Sequence, residues 1–172
     1  ANIMREFEVG LEMRCAFCRE PTPNSDDEAA KKIMKRIKEN NDPTAMCFMG
    51  NKRLDEGDYI GALEFLTKAA ELGNARAHFS LSLLYCEGKG VEKDEVKEIY
   101  HSEEAAIRGH PTARHNLGVE ETTSGNFERA RKHFIIAANL GDHDSLKAVR
   151  KLYAEGHASK DDYAGALRAY QA

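Results

Sequence analysis

The motif Ala-Ala-x-x-Gly occurs three times in this chain of 172 residues and restricts the possible folds more than any other feature. Its copies begin at Ala69, Ala105 and Ala137, which places them 36 and 32 residues apart. A small residue follows each motif glycine by four positions, and Ala45 occupies the same place ahead of the first copy. Self-similarity at such a period is typical of arrays in which one helix–turn–helix unit stacks on the next. The sequence therefore predicts four such units.

Each unit is predicted to contain a helix A, a turn, a helix B and a glycine that ends it. In helix B an aromatic residue is followed by an alanine and then by a bulky residue, as in Tyr59, Ala62, Leu66; Phe127, Ala130, Phe134; and Tyr163, Ala166, Tyr170. These intervals place all three side chains on one helical face. Left-handed helix ends are predicted at Gly73, Gly109 and Gly141. The expected fold is all-α, an α-solenoid with units at 41–73, 74–109, 110–141 and 142–172.

The second unit carries a resemblance to the Sel1-like repeat family, in the turn Gly88-Lys89-Gly90-Val91-Glu92-Lys93-Asp94 and the closing Ala105-Ala106-x-x-Gly109. That family has a G-x-G-V-x-x-D turn, an alanine four residues later and a closing A-A-x-x-G. Here Glu98 stands at the alanine position and His101 near the usual aromatic position, which predicts a looser helix B. The first and third units, which have a shorter turn, are similar to TPR repeats. The resemblance implies a helical array that binds other proteins.

The composition and motif content argue against several other classes of protein. With a net charge of −4, the chain offers no basic surface for nucleic acid. Its apolar runs, such as 134–138, are far shorter than a membrane span. No H-E-x-x-H, G-x-S-x-G or P-loop pattern occurs, and the histidines and turn aspartates are interpreted as packing and capping residues. We expect a protein that is not an enzyme, needs no cofactor in this fragment, and contacts neither nucleic acid nor membrane.

The cysteines do not have the spacing of a secreted, disulfide-bonded domain, since Cys47 and Cys86 lie singly in helical patterns. An intracellular location, in the reducing cytoplasm, is therefore the expectation. The chain begins at Ala1 without an initiator methionine and stops at Ala172 within a helical pattern. Both ends are interpreted as truncations of a longer protein, with the fourth unit cut in its helix B.

Cys15 and Cys18 form a C-x-x-C pair within residues 1–24, which resemble the last ligand pair and linker of a RING-type zinc finger. Ala16 replaces the proline that is usual there. A structural zinc ion needs four ligands, and residues 1–14 contain neither cysteine nor histidine. The segment is therefore either the end of a finger that binds zinc in a longer chain or a vestige of one. A redox C-x-x-C pair is a third alternative.

Residues 25–40 are predicted to form one amphipathic helix. Ser25 and Glu28 have the spacing of a capping box, and apolar residues follow at helical intervals, namely Ala30, Ile33, Met34 and Ile37. We expect this helix to cover the otherwise exposed end of the first repeat. Its other face is basic and carries Lys31, Lys32, Lys35, Arg36 and Lys38. A solvated surface is favoured there over a docking site for an acidic partner.

The candidates for partner binding lie on helix A, because the A helices of a solenoid line its concave surface. The predicted partner-binding residues are Arg76, Phe79, Leu83, His115, Val119 and Lys147. Three are apolar and three polar, the usual composition of a peptide groove. The alternative is that Phe79 and Leu83 pack against a neighbouring helix. The predicted function is an interaction scaffold for a protein or peptide; the alternative is the substrate-recognition part of a RING-type ubiquitin ligase.

Overall fold

The computed structural model describes residues 26–171, with side chains from residue 28 onward. Nine helices and no strand occur in this part of the chain. The helices are α1 (Asp26–Asn40), α2 (Pro43–Asp55), α3 (Tyr59–Glu71), α4 (Ala75–Glu87), α5 (Glu95–Ile107), α6 (Pro111–Thr123), α7 (Phe127–Asn139), α8 (His143–Ala154) and α9 (Lys160–Tyr170). The all-α class expected from the periodicity is confirmed.

The chain divides between Asn41 and Asp42 into two compact units. Asn41 directly follows α1. Its φ of 51° is left-handed, and its amide donates to the Ile37 carbonyl. Asparagine tolerates this conformation better than most residues, so it is a suitable helix end. The capping role expected of α1 stays a prediction.

In residues 42–172, consecutive helices pack as pairs. We number these pairs as repeats one to four: α2–α3, α4–α5, α6–α7 and α8–α9. The second helix of each pair also contacts the first helix of the next pair. Such serial contacts between neighbours are the organisation of a stacked repeat array. The three motif glycines have φ angles of 84°, 90° and 91° at Gly73, Gly109 and Gly141. The left-handed helix ends predicted at these positions are confirmed.

Within the first and third repeats, a glycine of the first helix faces a bulky residue of the second. A Cβ atom added to Gly50 would lie 2.6 Å from Cγ of Leu66, and one added to Gly118 would lie 2.7 Å from Cε1 of Phe134. Those separations are shorter than real Cβ contacts, so the two helices approach as closely as they do because the side chain is missing. Leu66 and Phe134 are in turn almost completely buried.

Candidate functional site

The second helix of the second repeat, α5, departs from this packing scheme. Counted back from the Ala-Ala-x-x-Gly motif, Ser102 stands where α3 has Leu66 and α7 has Phe134. Glu98 stands where both of those helices have a buried alanine. A serine and a glutamate cannot replace the buried apolar volume of a leucine and an alanine. These two inward positions of α5 are consequently polar, while its two motif alanines remain buried.

The apolar residues of α5 lie on exposed positions instead. Val96 is 77% exposed, Ile107 69%, Tyr100 54% and Ile99 46%. Single exposed apolar residues are normal on a protein surface, whereas several on one short helix indicate an interaction surface.

A cleft of about 650 Å³ lies between the second and third repeats. Its volume is within the range of known binding sites. Its apolar lining comes from three helices and consists of Phe79, Leu83, Ile99, Ile107 and Leu117. Its polar lining includes Ser82, Glu98, Ser102, Glu103, Arg114, Asn116, Glu120, Glu121, Ser124, Asn126, Arg129 and His133. We call the five apolar residues the floor of the cleft and the polar residues its rim, although Ser82 of the polar set is the most buried of all.

The floor of the cleft is held by packing between α4 and α6. The Phe79 ring stacks on the His110 ring with centroids 4.3 Å apart, and His110 also caps α6 by accepting a hydrogen bond from the Ala113 amide. Phe79 and Leu117 pack on the buried alanines of this junction. Leu83, in contrast, remains 44% exposed. The alternative interpretation, that these residues pack against a neighbouring helix, therefore applies to Phe79 more than to Leu83.

Carboxylates dominate the rim. Glu98, Glu103 and Glu120 make no ion pair with any residue that the structure describes. Glu121 is paired with Arg129 at 2.8 Å. The rim is therefore electronegative on the α5 and α6 sides.

The cleft is lined by four glutamates and two arginines, so its lining is net negative even though both arginines keep their charge. The Arg114 guanidinium donates from Nη2 to the Ala106 carbonyl at 2.6 Å and is half-buried. Burial lowers the pKa of His133, and the nearby Arg114 lowers it further, so this imidazole is neutral near pH 7.

The six residues predicted to bind a partner are not brought together. Phe79 and Leu83 line the cleft. Arg76 borders a different hollow, of about 500 Å³, formed mainly by α2 and the start of α4. Lys147 is ion-paired with Asp144 at 2.9 Å and borders neither space.

The remaining two, His115 and Val119, line a pocket of about 230 Å³ between the third and fourth repeats. Nδ1 of His115 lies 2.7 Å from Oγ of Ser145 and 3.5 Å from Oδ1 of Asp142. A Ser-His-Asp triad needs the serine and the carboxylate at opposite ring nitrogens, and here both face Nδ1. Ser145 is also fully buried. This cluster therefore ties α6 to α8 and offers no nucleophile.

Among the described residues, no three His, Cys, Asp or Glu side chains are grouped so that they could hold a metal ion. Burial raises the pKa of the Cys47 thiol, and the hydrogen-bonded Glu98 carboxylate raises that of Cys86, which is the opposite of nucleophile activation. Cys15 and Cys18 lie outside the described residues. Every described helix is too short or too polar to cross a bilayer.

Sequence reasoning missed Ser102, Glu103, Ile99 and Ile107 as residues of the cleft. The sequence did hold a signal for Ser102. When the helix B sequences are aligned on the Ala-Ala-x-x-Gly motif, Ser102 falls at the position where the first and third units have bulky residues.

Comparisons with known proteins agree with the fold. The Sel1 repeat family matches residues 43–74, 75–110 and 112–142, which is more than half of the chain. An uncharacterized protein of Neisseria meningitidis serogroup B is 29% identical over 115 residues, which cover 62% of this chain and 23% of that protein.

Two solved structures are similar to this chain. A Sel1 repeat protein from Oxalobacter formigenes has a TM-score of 0.75 at 22% identity, over 87% of this chain and 46% of that one. The protective antigen c5321 of uropathogenic Escherichia coli, which displays an SLR fold, has a TM-score of 0.61 at 27% identity, over 83% of this chain and 32% of that one. The chain thus spans less than half the length of these relatives. With three matched repeats and the same architecture, the chain belongs to the Sel1 repeat family.

Proposed function

We propose that this protein is an interaction scaffold that binds a segment of a partner protein in the cleft between the second and third repeats. Sel1 repeat proteins generally act as protein-interaction scaffolds, and the family is typically non-catalytic. The observation that carries the proposed site is the exposure of Leu83, Ile99 and Ile107 within one recess. Apolar anchors that are surrounded by polar groups are the usual centre of a protein interface.

The wider concave surface predicted from the sequence stays part of the proposal. Arg76, His115, Val119 and Lys147 would extend the contact on both sides of the cleft if the partner is long. Their contribution is expected to be smaller, because Lys147 already has an ion-pair partner and His115 is bonded to Ser145.

Site-specific photocrosslinking tests this function. The photoreactive residue p-benzoylphenylalanine is placed at position 99, inside the cleft, and in a control chain at position 60, where Ile60 of α3 is 71% exposed outside it. We expect discrete adducts with a partner protein from position 99 and not from position 60, identified by mass spectrometry. Absence of adducts from position 99, or the same adducts from both positions, would refute the proposed site.

A second proposal concerns the segment ahead of the repeats. We propose that Cys15 and Cys18 belong to a RING-type finger of a longer protein, in which the repeats would choose the substrate of a ubiquitin ligase. The support is the C-x-x-C spacing and the family resemblance of residues 1–24. Zinc analysis of the full-length protein tests it, and a zinc-free full-length protein would remove it. A cytoplasmic location and the absence of nucleic-acid binding likewise stay predictions.

A further inference from the structure

We infer that the segment bound in the cleft is basic, with lysine or arginine side chains placed beside its apolar anchors. This inference rests on the proposed function and adds the chemistry of the partner to it. It is carried by the charges of the rim.

The first observation is a set of carboxylates without cations. Glu103 on α5 and Glu120 on α6 are exposed, and Glu98 is half-buried between them and Cys86. None of the three is ion-paired to a described residue, while most other surface ion pairs of the array join neighbouring turns of one helix. Charges of one sign that line the same cleft add their potentials and raise the local concentration of counter-ions. The recess therefore attracts cations.

The second observation is the state of the basic groups in the same recess. Arg129 is paired with Glu121, Arg114 is bonded to a backbone carbonyl, and the pKa of His133 is lowered. An acidic segment would consequently place its carboxylates beside three like charges. Juxtaposed like charges disfavour a partner strongly, so the rim selects against acidic segments as well as for basic ones.

The third observation comes from the alignment of the repeats. Two residues before the Ala-Ala-x-x-Gly motif, α5 has Glu103 and α7 has Ile135. Ile135 packs against the buried core cluster that joins the third and fourth repeats. The repeat scaffold thus accommodates an apolar residue at this position, and packing does not require the glutamate. The position is therefore free to carry a charge.

Panning a phage library of random dodecapeptides against the immobilised full chain tests the inference. Enriched peptides are then measured against four double variants. Ile99→Ala/Ile107→Ala removes apolar floor without changing charge, and Ile60→Ala/Leu72→Ala is its control at exposed sites outside the cleft. Glu103→Lys/Glu120→Lys reverses the rim charge, and Glu64→Lys/Glu71→Lys makes the same charge change on exposed positions of α3.

We expect the enriched peptides to carry a net positive charge and to bind the Ile99→Ala/Ile107→Ala variant less tightly than the parent. Glu103→Lys/Glu120→Lys should lower their affinity about tenfold, and Glu64→Lys/Glu71→Lys much less. Peptides that depend on the cleft floor and yet are neutral or acidic would refute the inference that the bound segment is basic. So would floor-dependent peptides that bind equally well after the rim charges are reversed. In both cases the proposed function would stand. If no enriched peptide depends on the floor, both the inference and the proposed cleft fail.

Discussion

Two neighbouring junctions of this array are built from the same repeat and differ in what fills them. Between the third and fourth repeats, Phe134, Val149 and Leu152 are 4%, 0% and 3% exposed and belong to one apolar cluster, beside a pocket of about 230 Å³. Between the second and third, a cleft of about 650 Å³ separates α5 from α7. The difference lies in the residues of helix B, because α7 places Phe134 and Ile135 where α5 places Ser102 and Glu103. A cleft can therefore arise in a repeat array by substitution, without an inserted loop.

We call the junction between the third and fourth repeats the closed junction, and that between the second and third repeats the open junction. The closed junction is also held by specific polar and aromatic contacts. Arg131 of α7 is paired with Asp162 of α9 at 2.5 Å, with both side chains about three-quarters buried. The Phe127 and His157 rings stack with centroids 3.8 Å apart. Across the open junction, the Phe79 ring stacks on the His110 ring and joins α4 to the start of α6.

The largest effect is expected from emptying the closed junction. Phe134→Ala should lower the free energy of unfolding by about 3–5 kcal/mol, because it removes a buried ring and leaves a cavity. Urea unfolding of the full chain measures this loss. Phe79→Ala at the open junction is the control, with a loss of less than half as much, since Phe79 is half-buried at the cleft. Equal losses for the two variants would contradict the distinction between the junctions.

Acid should loosen the second repeat ahead of the closed junction. Nδ1 of His78 lies 3.0 Å from Nδ1 of His101, between α4 and α5. Burial first, and the neighbouring His78 second, lower the pKa of His101 to about 4. The unfolded chain binds more protons than the folded chain between that value and the ordinary histidine pKa near 6.5. Stability is therefore lost as pH falls through this window.

Allowing for partial solvent screening of His101, we expect a loss of about 1–2 kcal/mol between pH 7 and pH 5. Hydrogen exchange should show earlier opening of α5 than of α8. His101→Phe, which introduces the residue that α3 has as Phe65, should reduce the pH dependence. The groups that face this pair are Tyr85, Tyr100, Lys97, Glu104 and Arg108. An unchanged pH profile in His101→Phe would rule out the histidine pair as its source.

Converting the open junction towards the closed pattern should stabilise the protein and impair binding. Ser82→Gly/Glu98→Ala/Ser102→Leu gives the second repeat the residues that the first repeat has at these positions, and a gain of about 1 kcal/mol is expected. Thermal unfolding measures the gain, and titration with a cleft-binding peptide measures the loss of affinity. A stabilised variant that binds as well as the parent would show that the inward face of α5 is not part of the site.

The smallest effect on stability is expected at the exposed floor of the cleft. Ile107→Ala should change the free energy of unfolding by less than about 0.5 kcal/mol, because the side chain is 69% exposed. The affinity of the Ile107→Ala variant for a cleft-binding peptide should nevertheless be lower than that of the parent. A stability loss close to that of Phe134→Ala would mean that Ile107 is a core residue and not a contact surface.

The fold follows from the sequence because it depends on local signals. Three copies of one glycine-terminated motif and the alanine spacing of helix B determine where helices start, end and pack. Of the residues predicted to bind a partner, Phe79 and Leu83 line the cleft while Arg76 and Lys147 do not. Spacing along one helix shows which positions face outward but not how far apart successive repeats lie. Likewise, the bond from His115 to Ser145 joins residues 30 positions apart and has no local signature.

Methyl NMR spectroscopy of the full chain, titrated with a panned basic peptide, tests the central claim most directly. The isoleucine, leucine and valine methyl groups of the two junctions report on binding separately. We predict chemical-shift changes at Leu83, Ile99, Ile107 and Leu117, with those of Val149 and Leu152 unchanged. Changes centred on Val149 and Leu152, or changes that leave Ile99 and Ile107 unaffected, would contradict the assignment of binding to the open junction.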